Sequence, residues 1–315
     1  MSQGVHYARM TELSQKPVYF NVMLAGEAGT GKSKFLEYFL GSAFGKQGVV
    51  EHEKLQITEY SCEKVEQNVR FCLNMIDCPG YHAQKPVKEW YQEIKSYLKL
   101  KQQHYEELKK LALKEKSLSL SSVVDRRVHA CLYFFTGPRL KANDAIYMKK
   151  LSKLVNLIPV FSCEQDLELE EVEVLKAQIL DEAHKYRIDW FQIDQAVGGL
   201  ERVSEQIHQQ QDPSEKLLRG IWPYPPFYFY SGTAPHEDDV GEVDTRLLTA
   251  LLLGYLSVPM GHATEVIWAL REEKERKKSR KQEKQLTENK MNLGIGVAIG
   301  MGVLGALIIA KKVLN

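Results

Sequence analysis

Five short apolar runs punctuate the chain, at Val18–Ala25, Asn68–Ile76, Ala130–Phe135, Leu157–Phe161 and Phe227–Tyr230, with helical spacing of apolar residues between them. Strand and helix therefore alternate. That order predicts an α/β domain with a mostly parallel central sheet, helices on both faces, and ligand loops at the carboxyl edge of the strands. The long charged stretch Pro86–Leu120 predicts one or two amphipathic helices with Trp90, Ile94 and Leu98 on one face.

A sixth apolar run is of another kind. Leu293–Ala310 carries no charge and is bracketed by Lys290 and by Lys311-Lys312. Eighteen helical residues reach about 27 Å, enough for a hydrocarbon core of about 30 Å with the flanking lysines snorkelling outward. No hydrophobic stretch near Met1 resembles a secretory signal, so insertion is expected after release from the ribosome, leaving the domain in the cytosol. Gly296 and Gly300 stand four apart, a spacing that lets two such helices pack closely. Ahead of the span, Arg271–Lys290 has no apolar face and carries nine cationic and five anionic side chains. It reads either as a plain helical spacer or as a segment drawn to an anionic leaflet. The expected organisation is a flexible N-terminus at 1–16, a globular domain at 17–270, a basic charged helical linker at 271–291, a transmembrane tail anchor at 292–310 and a short basic tail at 311–315.

Charge changes the picture by exclusion. Lysine plus arginine, 42, nearly cancels aspartate plus glutamate, 41, so no global field draws the chain to nucleic acid, which is not expected as a partner. The five cysteines form no C-x-x-C pair, and the nine histidines show no metal-ligand spacing. Free thiols in apolar runs behave as small hydrophobes and suit a reducing compartment.

The chemistry begins just after the first apolar run. Gly26-Glu27-Ala28-Gly29-Thr30-Gly31-Lys32-Ser33 fits G-x-x-x-x-G-K-[ST] between a predicted strand and a predicted helix that starts with Lys34. Glycines let successive backbone N–H groups point inward, Lys32 reaches the β- and γ-phosphates, the Ser33 hydroxyl is placed to ligate Mg²⁺, and Gly26 to Lys34 together are the expected nucleotide-binding residues of this loop. After the second apolar run comes Asp77-Cys78-Pro79-Gly80, a D-x-x-G placed 45 residues past Lys32. There Asp77 is expected to hold a Mg²⁺-bound water while the Gly80 N–H meets the terminal phosphate.

Asp77-Cys78-Pro79-Gly80-Tyr81 is similar to the septin D-T-P-G-Y. Val124 to Phe134 (VDRRVHACLYF) resembles the septin D-x-R-V-H-x-C-L-Y-F, and the likeness continues through Thr136 to Lys141, Asp144, Met148 to Leu151 and Val155 to Val160. Asp244-Thr245-Arg246-Leu247-Leu248 resembles the opening of the family's last helix. The resemblance covers about residues 17–270. It implies a septin-type P-loop G domain that binds GTP or GDP with Mg²⁺ and associates with itself or other septins, across the nucleotide face and across the face bearing the termini.

Four departures from the family pattern stand out. The septin base-recognition motif A-K-A-D falls on Ser162-Cys163-Glu164-Gln165, leaving Gln165 one amide contact and Asp166 one residue out of register as a guanine reader, or merely as a helix cap. The switch threonine required for hydrolysis aligns with Lys54, and Thr58 is the nearest hydroxyl. The Y-P-W-G element and β-meander are missing, because Phe227–Tyr230 reads as the last strand, with Ser231 and Gly232 in the loop under the base. Finally, 1–16 lacks a basic cluster.

The expected function is therefore a membrane-anchored GTP-binding scaffold that dimerises or forms filaments, with weak or absent hydrolysis. The alternative is an anchored GTPase whose turnover resets an assembly. A P-loop ATPase of other chemistry is a third class, for which no second catalytic constellation is evident. The short span with lysines on both sides points to the outer mitochondrial membrane over the endoplasmic reticulum.

Overall fold

The computed structural model describes residues 17–43, 49–52, 57–66, 69–82, 86–114, 123–165, 167–198, 225–232, 240–283 and 285. The division between its two compact units falls between Glu265 and Val266. Seven strands form one sheet in the order β2-β3-β4-β1-β5-β6-β7. They are β1 (Val18–Gly26), β2 (Val49–His52), β3 (Ile57–Glu66), β4 (Val69–Asp77), β5 (Ala130–Thr136), β6 (Asn156–Cys163) and β7 (Phe227–Tyr230). The helices are α1 (Lys32–Ala43), α2 (Val87–Lys114), α3 (Ala142–Leu151), α4 (Leu169–Tyr186), α5 (Ile193–Val197), α6 (Val240–Gly254) and α7 (Ser257–Glu283). The five predicted strands are present, and β4, β1, β5, β6 and β7 pair in parallel. Two strands went unpredicted: β2 and β3, which extend the sheet antiparallel beyond β4.

Side-chain alternation divides the sheet into two covered faces. On one, Val22 and Leu24 of β1, Leu132 and Phe134 of β5, and Phe229 of β7 pack with Phe35 and Phe39 of α1 and Leu247, Leu251 and Leu252 of α6. On the other, Tyr133 of β5 meets Trp90 of α2, which also contacts Tyr147 of α3. The α2 face expected from Trp90, Ile94 and Leu98 is buried, together with Tyr97 and Lys101. Lys101 (2.6 Å) and the Tyr97 hydroxyl (2.7 Å) both donate to Glu59, an acid on the α2 side of β3. Covering both faces explains why β1 reads as nearly continuous apolar sequence.

Asn21, the one polar side chain in the middle of β1, is 1% exposed and fully engaged. Its amide donates to the carbonyls of Asp125 (2.9 Å) and Arg127 (2.6 Å), and its oxygen accepts from Asn74 (2.5 Å). Its backbone N–H donates to His129 Nδ1 at 3.0 Å, so the second His129 nitrogen carries the proton that faces Asp125 at 3.2 Å. Burial opposes ionisation of Asp125, but hydrogen bonds from His129 and Arg127 outweigh it and hold the carboxyl well below its usual range. The D-x-R-V-H residues thus lie at the amino edge of the parallel strands and lock β1 to the segment entering β5.

The outer strand β7 is covered by a buried ion pair. Asp244 is fully buried and accepts both the Tyr228 N–H (2.6 Å) and Lys176 Nζ (2.5 Å). Removing one member strands the other in a low-dielectric site. Asp244→Ala is accordingly expected to destabilise the protein by about 3–5 kcal/mol, read as a lowered urea midpoint, with Asp244→Leu/Lys176→Met far milder. An Asp244→Ala variant with the wild-type midpoint would remove this pair from the account.

Candidate functional site

Strand β1 ends on Gly26 with φ +130, and a Cβ there would fall 1.9 Å from the Phe134 carbonyl oxygen, so only glycine lets the chain leave the sheet at this point. The loop then turns into α1, whose first intrahelical bond runs from the Phe35 N–H to the Gly31 carbonyl at 2.9 Å. Thr30 is buried and its hydroxyl donates to the Glu27 carbonyl at 2.8 Å, fixing the loop from within. Lys32, 7% exposed, curls over this loop and donates to the Glu27 carbonyl (2.5 Å), with Gly26 O and Thr30 Oγ1 at 3.5 and 3.4 Å. Ser33 is exposed at the mouth, as are Ala28 and Gly29.

The register Leu24↔Asp77 between β1 and β4 carries the second loop alongside the first. Beyond the strands the two loops remain paired. A parallel bridge joins Glu27 to Tyr81, with Ala28 N–H to Tyr81 O at 3.0 Å and Tyr81 N–H to Gly26 O at 3.3 Å. A Cβ on Gly80 would lie 2.4 Å from the Ala28 nitrogen, so the D-x-x-G backbone touches the phosphate loop with no room for a side chain. Burial pushes Lys32 down to about 8, against the pull of the Asp77 carboxylate, and burial raises Asp77 against the pull of Lys32. A poorly solvated ammonium on a glycine-rich loop that opens a helix is suited to receive polyphosphate oxygens.

Among the described residues no group of three His, Cys, Asp or Glu side chains stands ready for a metal. The donor set suits Mg²⁺ all the same, because that ion is commonly held by one hydroxyl and one carboxylate together with substrate phosphates and water. Ser33 and Asp77 are the residues that would hold it. Thr58 lies directly opposite Asp77 in the β3–β4 ladder, half-buried, on the same sheet face as α1. Lys54 and Asp166 lie outside the described residues.

The far end of the groove is built from β6 and β7. Ser231 N–H donates to Cys163 O (2.8 Å), and the Tyr228 hydroxyl donates to the Gln165 carbonyl (2.9 Å), while the Gln165 side chain is exposed. A Cβ on Gly232 would fall 2.1 Å from Tyr230 Oη. Lys34 of α1 reaches across to donate to the Ser231 carbonyl, with Gly232 O at 3.5 Å. Along the carboxyl edge of the sheet the predicted residues that are described thus run from the phosphate loop at one end to Gln165, Ser231 and Gly232 at the other.

Sequence reasoning missed what braces this groove. The Tyr81 hydroxyl donates to Asp144 Oδ1 (2.6 Å), which also accepts from Tyr133 (2.9 Å), while Trp90 Nε1 donates to the Pro79 carbonyl at 2.8 Å. Lys141, just before α3, pairs with Glu27 of the phosphate loop. The signal was present, since Tyr81, Tyr133, Lys141 and Asp144 all fall within the stretches that carry the family resemblance.

A family model described as Septin matches residues 16–221. Septin-2 of Mus musculus is 30% identical over 190 residues, 58% of this chain and 51% of that protein. Septin-11 of Homo sapiens is 33% identical over 168 residues, 52% of this chain and 38% of that protein. The chain therefore spans about half or less of the length of these relatives. The crystal structure of a septin GTPase domain from Chlamydomonas reinhardtii has the same fold, with a TM-score of 0.60 over 82% of this chain and 99% of that one, at 17% identity.

The desolvated lysine generates a pH test. A polyphosphate favours the charged form of Lys32 and raises it from about 8, so binding above that pH takes up a proton. Affinity for a nucleoside triphosphate is expected to be level near pH 7 and to fall by up to about tenfold per pH unit above pH 8. Lys32→Arg, charged throughout, should flatten the profile, and a wild-type profile level to pH 10 would contradict this account.

Proposed function

The chain belongs to the septin family, and from that premise we propose that it binds guanine nucleotide with Mg²⁺ as a structural cofactor and assembles, with itself or with other septins, into a scaffold held on an organelle membrane. The observation that carries the nucleotide part is the contact of Gly80 with Ala28, with the desolvated Lys32 on the same loop. A terminal phosphate lodged at that contact touches both loops at once. Its loss would release the contact between the two loops.

Hydrolysis is weak or absent in this reading. Lys54 stands where the family places its switch threonine, and Thr58 is held within a strand ladder instead of a free loop. Phosphoryl transfer depends on positioning and charge stabilisation, so an unplaced water leaves a binder with little turnover. The pairing of Thr58 with Asp77 favours a second reading, in which this hydroxyl serves a turning-over GTPase that resets the assembly.

The membrane part rests on the uncharged run Leu293–Ala310. That run lies outside the described residues, and among those described no single helix is long and apolar enough to cross a membrane. Of the basic linker, 271–283 is helical, with spaced pairs Glu272–Arg276 and Glu273–Lys277. The outer mitochondrial membrane is the proposed location.

Protein purified with its native ligand is expected to release GDP or GTP on denaturation, and Lys32→Ala to weaken retention by about 10- to 100-fold. Recovery of ATP alone would sink the guanine reading. Phosphate release is expected on the order of 10⁻⁴ s⁻¹ or slower, and faster release abolished by Thr58→Ala would establish the second reading. A fluorescent reporter fused to residues 271–315 should decorate mitochondria, and a reticular pattern would overturn that location.

A further inference from the structure

Among the described residues at the base end, the position where the family carries its guanine-reading aspartate is Gln165, whose side chain is exposed. At the end of β6 the Ser162 hydroxyl faces the Phe135 carbonyl at 3.4 Å, and the backbone carbonyls of Cys163 and, in the loop beyond, Gln165 accept from the Ser231 N–H and the Tyr228 hydroxyl. A cation reaches this end from α1. Lys32 and Lys34 stand two apart on α1 and serve different ends of the groove: Lys32 turns to the carbonyls of Gly26 and Glu27, Lys34 to those of Ser231 and Gly232. An exposed lysine ordinarily keeps its head in water. This one spans 197 residues of sequence to bind two carbonyls of the loop under the base.

We propose that Lys34 is the guanine-reading residue of this chain. This rests on the nucleotide reading above. An ammonium has three donors and no acceptor. Two are turned to the loop carbonyls, and a third is available to a purine seated there. Guanine presents two neighbouring acceptors, O6 and N7, whereas adenine sets the N6 amino donor beside its N7. A lysine at this edge attracts the first and repels the amino group of the second, so guanine is preferred without a carboxylate. The N1–H and 2-amino groups, which a carboxylate would read, go unread. The ligand class is thus a 6-oxopurine nucleotide, inosine as well as guanosine.

The full chain, purified in mild detergent and stripped of ligand, would be titrated with GDP, IDP, 7-deaza-GDP and ADP. GDP and IDP are expected to bind within about threefold of each other, with 7-deaza-GDP and ADP weaker by about 10- to 100-fold. Lys34→Met should bring GDP down to the ADP level, and Lys34→Arg should keep the preference. Loss of IDP binding with full retention of 7-deaza-GDP would overturn the proposal in favour of a carboxylate reader such as Asp166. An unchanged GDP-to-ADP ratio in a folded Lys34→Met protein would overturn it equally. A folded wild type that binds none of the four would show that the nucleotide reading itself had failed, and this inference with it.

Discussion

The parallel pairing of β1 with β4 is the constraint from which the rest of the site follows. Because Leu24 stands beside Asp77 and the alignment continues as a bridge between Glu27 and Tyr81, the loops that leave these strands cannot diverge. They are forced into backbone contact at Ala28 and Gly80, where there is no space for a side chain. Everything at the phosphate end depends on that approach. It buries Lys32, brings Asp77 within its field, and leaves Ser33 exposed at the mouth.

Much of the domain was legible in the residues because the central strands are buried on both faces and the loops carry glycines that no other residue replaces. Val18–Gly26 is nearly continuous apolar sequence, broken only at Asn21 and ending in Gly26, and both features have one cause, a strand inside a sheet that must stop abruptly. Strand β3 was not legible. Its sequence ITEYSCEKVE puts Ile57 and Glu59 towards one face and Tyr60 and Cys62 towards the other, with an acid among the half-buried positions because Lys101 pairs with it and Tyr97 donates to it from α2. No clean two-residue period survives such a pattern. The helix expected to open at Asp244 begins earlier, at Val240, and a further helix follows from Ser257. The reach of Lys34 to Ser231 and of Tyr81 to Asp144, 63 residues away, depends on the folded sheet bringing distant segments together.

The two ends of the groove differ in how the chain secures them. The phosphate end is fixed mainly by backbone geometry, through glycines, register and loop pairing, and so is specified by few side chains. The base end relies on side chains that cross between elements: Tyr228 to the Gln165 carbonyl, Lys34 to the β7 loop, and the Asp244–Lys176 pair behind that strand. The departures from the family pattern at Gln165 and its neighbours fall at that end.

The Trp90 indole is fully buried, donates to the Pro79 carbonyl and stands edge-on to Tyr81, 5.4 Å between ring centroids. Any rearrangement of the segment following Asp77 must break or stretch that bond and change the polarity around the ring. Trp90, one of four tryptophans, is consequently an intrinsic optical reporter on the segment that follows Asp77, sensitive to its movement without any added dye.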